Sequence, residues 1–336
     1  REFTGAILSL VGGEAPTVLF TTGHGEVPLG PGGETAPERG TRILAEALKR
    51  ENIDAETFSL LSGPVPETAD VVAVVGPLRA FAEVELQRLE EFALGGGRLL
   101  LALDPLIEPG ATMRRLGLEP LLERLGLAVE DALVVAPAGT LDGSDLSALY
   151  LEASPGHPIT RGMENIAVVL PATRPVSGEG AEGQVTDLVA TSAEGWGERA
   201  LGDLLDGTPV DPGGEDVAGP VTVVLALERG TVPAGTQAED ADRAAADGPE
   251  RLVLAGDSDF LTDALIPTLG NYTLAMNTVN WLVSRDLAVG IPPREVNRLS
   301  LYLTSEQLRM VLVVAVLVLP GLALAAGVVV RRRRRR

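Results

Sequence analysis

Three polar side chains that could do chemistry follow one apolar run near the end of the chain. The stretch RLVLAGDSDF (251–260) places Asp257, Ser258 and Asp259 directly after a run of Leu and Val. Ser258 in this setting could be the nucleophile of a hydrolase, provided that a nearby base takes up its proton. The other interpretation is a polar turn, in which side-chain oxygens accept hydrogen bonds from the free N–H groups at the start of the next helix.

The rest of the sequence favours the turn. Only two histidines are present, His24 and His157, and both lie upstream of Ser258, outside the Asp-x-x-His spacing of Gly-Asp-Ser esterases. The Gly-x-Ser-x-Gly elbow is also absent, because Phe260 stands where its last glycine would be. We therefore expect the triplet to end a strand, and His157, in SPGHPITRG, to have a structural role.

A second segment, TTGHGE (21–26), contains a histidine and a carboxylate two residues apart. His24 and Glu26, with Asp104 or Asp257 from a neighbouring strand, could bind a divalent cation. Equally, the two glycines could serve only a tight turn with positive φ. The phosphate-binding patterns G-x-x-x-x-G-K-[ST] and G-x-G-x-x-G are both absent from this segment, so no nucleotide cofactor is expected. We predict no metal or other cofactor.

Alternating strand and helix patterns in the first half predict the fold class. Apolar, β-branched runs are separated by amphipathic segments of about 10–15 residues, which is typical of an α/β protein with a doubly wound, mostly parallel sheet. Ligands of such sheets bind beyond the carboxyl ends of the strands. We therefore predict a recognition surface there, the strand-end cluster, formed by His24, Glu26, Asp104, Asp257, Ser258 and Asp259.

Changes in composition along the chain suggest six segments. We predict an α/β sheet domain (1–137), a loop-rich lobe with short strands (138–250), a return to the α/β body (251–296), a juxtamembrane segment (297–309), a transmembrane helix (310–330) and a basic tail (331–336). The helix prediction follows from 21 uncharged residues before six arginines.

Charge restricts the partners and the orientation. The chain has a net charge of −20 despite the six terminal arginines, so no nucleic acid is expected as a partner. The positive-inside rule would place the arginine tail in the cytoplasm and the main domain outside it, at the bacterial inner membrane. Export would need a signal upstream of Arg1, which we expect in the intact protein.

Without cysteine, the chain has no thiol nucleophile or thiolate metal site.

Several segments, taken in order, resemble one family. TTGHGE, ADVVAVVGP, GGGRLLLALDP, HPIT, RLVLAGDSDFLTD, GNYTLAMNTVNWLV and the apolar C-terminal stretch before the arginines are similar to GldG-type auxiliary components of ABC transport systems, a family linked to gliding motility in some bacteria. The resemblance covers nearly the whole chain.

The resemblance implies a membrane-anchored extracytoplasmic subunit beside an ATPase and a permease. It also implies a flavodoxin-like or glutamine-amidotransferase-like α/β fold without the catalytic machinery. The family brings no established catalytic residues to this chain. We therefore predict a non-enzymatic subunit that acts by binding protein or substrate. The alternative is a metal-dependent or serine hydrolase that uses the strand-end cluster.

Overall fold

The computed structural model describes five stretches of the chain. These are residues 15–34, 36–137, 148–208, 210–230 and 249–284, together with Arg331, Arg333 and Arg334. The predicted transmembrane helix at 310–330 and the juxtamembrane segment lie outside them.

A nine-stranded mixed sheet organises the fold. Its strands are β1 (Thr17–Thr21), β2 (Asp54–Phe58), β3 (Val71–Val75), β4 (Arg98–Ala102), β9 (Ala148–Ala153), β10 (Ala167–Pro171), β12 (Gln184–Ala190), β15 (Thr222–Arg229) and β16 (Glu250–Ala255). In space their order is β10-β9-β12-β15-β16-β4-β3-β1-β2.

The two halves of this sheet run differently. From β16 through β4, β3 and β1 to β2, every neighbouring pair is parallel. From β16 through β15, β12 and β9 to β10, every pair is antiparallel. In β3 all five side chains are buried, as expected of a central parallel strand that is covered on both faces.

The shorter elements cover the sheet faces and its ends. The helices are α1 (Arg42–Arg50), α2 (Glu83–Leu94), α3 (Glu119–Arg124), α4 (Leu201–Leu205) and α5 (Asn271–Leu282). The minor strands are β5 (Ile107–Glu108), β6 (Thr112–Met113), β7 (Ala128–Val129), β8 (Leu133–Val135), β11 (Val176–Ser177), β13 (Trp196–Glu198) and β14 (Val217–Ala218).

Each face of the sheet has its own apolar core. α1 and α5 pack on one face, where Leu44, Leu48 and Trp281 are almost wholly buried. α2 and α3 pack on the other, around Leu89 and Leu122. The layers therefore hold the carboxyl ends of β1, β3, β4 and β16 in fixed positions relative to one another.

The predicted fold class, with a mostly parallel sheet, is wrong. The sheet is mixed, and the segment predicted as a loop-rich lobe with short strands contributes the four antiparallel strands β9, β10, β12 and β15 to it. Turn residues around these strands obscure their signal, because antiparallel pairing does not require the crossover helices that mark the strands of a parallel sheet. In the described part of the chain, no helix is both long and apolar enough to cross a membrane.

Candidate functional site

The predicted site residues all follow strands of the parallel half. His24 and Glu26 lie after β1, Asp104 after β4, and Asp257, Ser258 and Asp259 after β16. The spatial order of these strands is β16-β4-β3-β1, so the residues share one edge of the sheet. They form two groups there, one around His24 and one around Asp104.

His24 lies between two buried carboxylates. Its Nδ1 is 3.2 Å from Glu26 Oε1 and its Nε2 is 3.0 Å from Glu85 Oε2. Both ring nitrogens therefore face carboxylate oxygens, which can accept hydrogen bonds from the imidazole. We call His24, Glu26 and Glu85 the trio. The ring also stacks on Phe81, with 4.1 Å between the ring centroids.

Backbone bonds hold both carboxylates of this trio in place. Glu26 Oε2 accepts the His24 N–H at 2.6 Å, which closes the turn after β1. Glu85 Oε2 accepts the Ala82 N–H at 2.9 Å, as in a capping box at the start of α2. Glu85 was not predicted as a site residue. Its position three residues after the helix N-cap was the available signal, but that signal indicates a cap and not a histidine partner.

Arg39 connects the two groups of the cluster and was also missed. It donates to the Gly25 carbonyl at 3.4 Å and to the Gly76 carbonyl at 3.2 Å. Its Nη2 lies 3.8 Å from Asp104 Oδ2. Because the Arg39 side chain is one-third exposed, the same cation also faces solvent.

Ser258 lies just after β16, inside the fold. Its N–H donates to Asp104 Oδ1 at 2.6 Å, and the residue is wholly buried. Neither histidine contacts its hydroxyl group: both nitrogens of His24 face carboxylates, and His157 Nδ1 accepts the Ile159 N–H. A hydroxyl group without a base is a poor nucleophile.

Gly76, at the end of β3, allows the strand ends to approach so closely. Its φ is +56°, and an added Cβ would lie 2.6 Å from Ser258 Oγ and 3.0 Å from Asp104 Oδ2. A side chain at position 76 would therefore occupy the space over which Asp104 and Ser258 meet.

Burial and mutual repulsion perturb the acids around Asp104. Burial raises the pKa of Asp104, against the lowering effects of Ser258 and Arg39. The pKa of Asp257 is raised well above its ordinary value by complete burial, with Asp104 and Asp259 adding to the shift. Burial and then Asp104 raise the pKa of Asp259 to about 6. The group therefore holds protons more tightly than exposed aspartates do.

These shifts predict a pH-dependent stability. A carboxyl group whose pKa is raised in the folded state stabilises the fold below its unfolded pKa of about 3.9, and this contribution is lost as the pH rises through the folded pKa. We expect Asp259→Asn to stabilise the protein at pH 7.5 by on the order of 1 kcal/mol, a value discounted for partial exposure. The gain should shrink as the pH falls from 6 to 4, as measured by urea unfolding across this range.

A nearby aspartate provides the matched control. The Asp263 carboxylate accepts the backbone N–H groups of Arg42 and Ile43 at the start of α1. Asp263→Asn should therefore lower the stability at pH 7.5, because it removes a charge from a helix N-terminus. A loss of stability in Asp259→Asn equal to that in Asp263→Asn would contradict the raised pKa of Asp259.

A cleft of about 480 Å³ opens beside this group. Its walls come from residues 36–39, which precede α1, and from Asp259, Thr262, Ala264 and Leu265. Asp259 and Arg39 connect the cleft to the buried acids. Among the residues that the structure describes, no group of three or more His, Asp or Glu side chains is arranged to hold a metal ion.

Similarity to solved structures extends over most of the chain. A structure titled "mmIFT52 N-terminal domain" matches with a TM-score of 0.50 at 16% identity, covering 79% of this chain and 97% of that one. A cold-adapted β-galactosidase from Rahnella sp. R3 matches with a TM-score of 0.43 at 12% identity, covering 86% of this chain and 35% of that one. The first similarity supports a shared fold and nothing about activity.

Sequence comparison identifies the family. No curated protein matches the chain. Residues 15–280, which include every strand of the nine-stranded sheet and all but the last two residues of α5, match the family described as "ABC-type uncharacterized transport system". The resemblance to an ABC transport auxiliary component is confirmed at this level, while the GldG type stays a prediction. The chain therefore belongs to the family of auxiliary components of ABC-type transport systems.

Proposed function

We propose that the chain acts in its transport system by binding, and that the cleft beside Arg39 and Asp259 contacts another protein of that system. The observation that carries this proposal is the position of Arg39. One guanidinium group contacts the turn after β1, the end of β3 and Asp104, while a third of its side chain stays exposed at the cleft. A partner that contacts the cleft would therefore contact all three strand ends through one side chain.

The state of the polar groups favours binding over hydrolysis. Ser258 is wholly buried, and His24 is 93% buried with a carboxylate at each ring nitrogen. A serine hydrolase that used these two residues would need His24 free to accept the proton of the Ser258 hydroxyl group. By contrast, Arg39, Glu38 and Asp259 line an open cleft and need only to be exposed.

The partners that we propose are the permease and the ATPase of the same system. The main domain would then lie on the extracytoplasmic side of the bacterial inner membrane, as the charge pattern of the sequence predicts. A role in gliding is a narrower hypothesis than this one and follows only from the GldG-type resemblance.

Affinity purification from native membranes in mild detergent tests the proposal. The full chain should bring down an ATPase and a multi-span permease in a fixed ratio. Reversing the charge in the cleft with Asp259→Lys should reduce the recovered permease at least tenfold, because like charges across an interface are costly. Glu56→Lys, an equal reversal on the exposed strand β2, should leave recovery unchanged.

Two results would contradict the proposal. If the chain purifies alone, the proposal that it binds the permease and the ATPase is wrong. If the Asp259→Lys and wild-type chains recover equal amounts of permease, and circular dichroism shows that both are folded, the proposal that the cleft is the contact is wrong.

A further inference from the structure

A second cavity lies on the other face of the sheet and has the size of a small-molecule site. It measures about 430 Å³, within the usual range of roughly 300–1,000 Å³ for small-molecule pockets. It lies between α3, β7 and the segment 177–180, next to Leu103 at the carboxyl end of β4. None of the cleft residues lines it, so it is independent of the proposed partner contact.

The walls of this cavity are mostly apolar. Leu116, Leu118, Leu122 and Leu127 line it, and each side chain is at least 96% buried in the fold. At one end Gly126 touches Gly180, where an added Cβ at Gly126 would lie 2.1 Å from the Gly180 carbonyl oxygen. Backbone contact thus closes the wall at this end.

One buried cation supplies a hydrogen-bond donor to the cavity. Arg174 is 93% buried and lines it. Its Nε donates to the Glu130 carbonyl at 3.0 Å, and its Nη2 donates to Asp131 Oδ1 at 3.0 Å and to the Val129 carbonyl at 3.4 Å. Nη1 has no acceptor among the residues that the structure describes. Nη1 does not belong to the buried side-chain atoms that lack a partner, so it is accessible from the cavity and can donate to an acceptor on a ligand.

The surrounding charges select against an anionic acceptor. Asp131 pairs with both Arg174 and Arg115, and Glu119 lies 3.8 Å from Arg115, so these two cations are balanced. Glu123 and Glu179 add further negative charge to the lining. These carboxylates would repel a carboxylate ligand, whereas they would not repel an uncharged carbonyl group.

We propose that the cavity binds a small apolar ligand that presents an uncharged carbonyl oxygen to Arg174, such as an acyl amide or ester. At about 30 Å³ per water-sized group, the volume accommodates roughly ten to fourteen non-hydrogen atoms. An eight-carbon acyl chain matches this size.

Three probes of nearly equal size test the proposal by titration calorimetry on the full chain. Octanamide should bind, while octanoate should bind at least tenfold more weakly because of the negative lining. Octylamine should also bind at least tenfold more weakly, because its ammonium group offers no acceptor to Arg174. Equal binding of all three, or tightest binding of octylamine, would overturn the role of Arg174, and no binding of octanamide would overturn the site.

Two variants distinguish the cavity from other apolar surface. Ser177→Phe places a ring at the cavity lining without removing a leucine, and it should reduce octanamide binding at least tenfold. Ser62→Phe, on an exposed turn, is the matched control and should bind as the wild type does. Thermal melting of each variant reports folding, and unchanged octanamide binding by folded Ser177→Phe would contradict the location.

Discussion

His24→Ala should destabilise the protein by about 3–5 kcal/mol, the usual cost of removing one member of a buried charged group. The substitution leaves Glu26 and Glu85 facing each other without the imidazole between them. Glu85 is 1% exposed, so its carboxyl group is left inside the fold without this donor. The stack on Phe81 is lost as well. Urea unfolding monitored by circular dichroism measures the change.

The second histidine of the chain is the matched control. His157 accepts the Ile159 N–H and packs edge-on against Trp281. His157→Ala should therefore cost about 1 kcal/mol, as for the loss of a cap. Glu85→Gln added to His24→Ala should recover part of the stability, because a buried amide is less costly than a buried carboxyl group to leave without the imidazole. Failure of this rescue, or equal costs at the two histidines, would contradict the role given to His24 in the trio.

Gly76→Ala should destabilise the protein by about 2–4 kcal/mol. Roughly 1 kcal/mol comes from placing a side chain at φ +56°, and about 1–3 kcal/mol from overpacking against Ser258 and Asp104. The contact with Ser258 Oγ can be removed separately. Ser258→Ala combined with Gly76→Ala should therefore recover part of the overpacking cost, while the roughly 1 kcal/mol that comes from the positive φ should remain.

Two other glycines separate these contributions. Gly207 has a φ of +71° with nothing within 4 Å of an added Cβ, so Gly207→Ala should cost about 1 kcal/mol. Gly63 is equally open without a positive φ, and Gly63→Ala should change the stability by less than about 1 kcal/mol. If Gly76→Ala costs no more than Gly207→Ala, the close approach of the strand ends is not a constraint.

The parallel half of the sheet could be predicted because its signal is local. Continuous runs such as VVAVV in β3 indicate strands buried on both faces, and a helix pattern follows each of them. β9 and β10 lie among prolines and glycines, which indicate turns, and they pair with each other as antiparallel strands. Their place in the large sheet depends on the contact of β9 with β12, which hydrophobic periodicity does not report.

Some residues of the site could be predicted from the sequence and others could not. The acids after β4 and β16 could be placed on one edge, because the carboxyl ends of parallel strands share it. Arg39 and Glu85 could not, since one comes from the loop before α1 and the other from a helix on the opposite face. Their roles depend on the packing of those elements against the strand ends.

Site-specific photocrosslinking in living cells tests the binding account most directly. A photoreactive residue replaces Glu38, which is exposed in the cleft, or Glu56, which is exposed on β2 away from it. We predict that position 38 yields a crosslinked product with the permease of the system, and that position 56 yields none. Crosslinks to the permease from position 56 alone would contradict the binding proposal, as would the absence of any product at position 38.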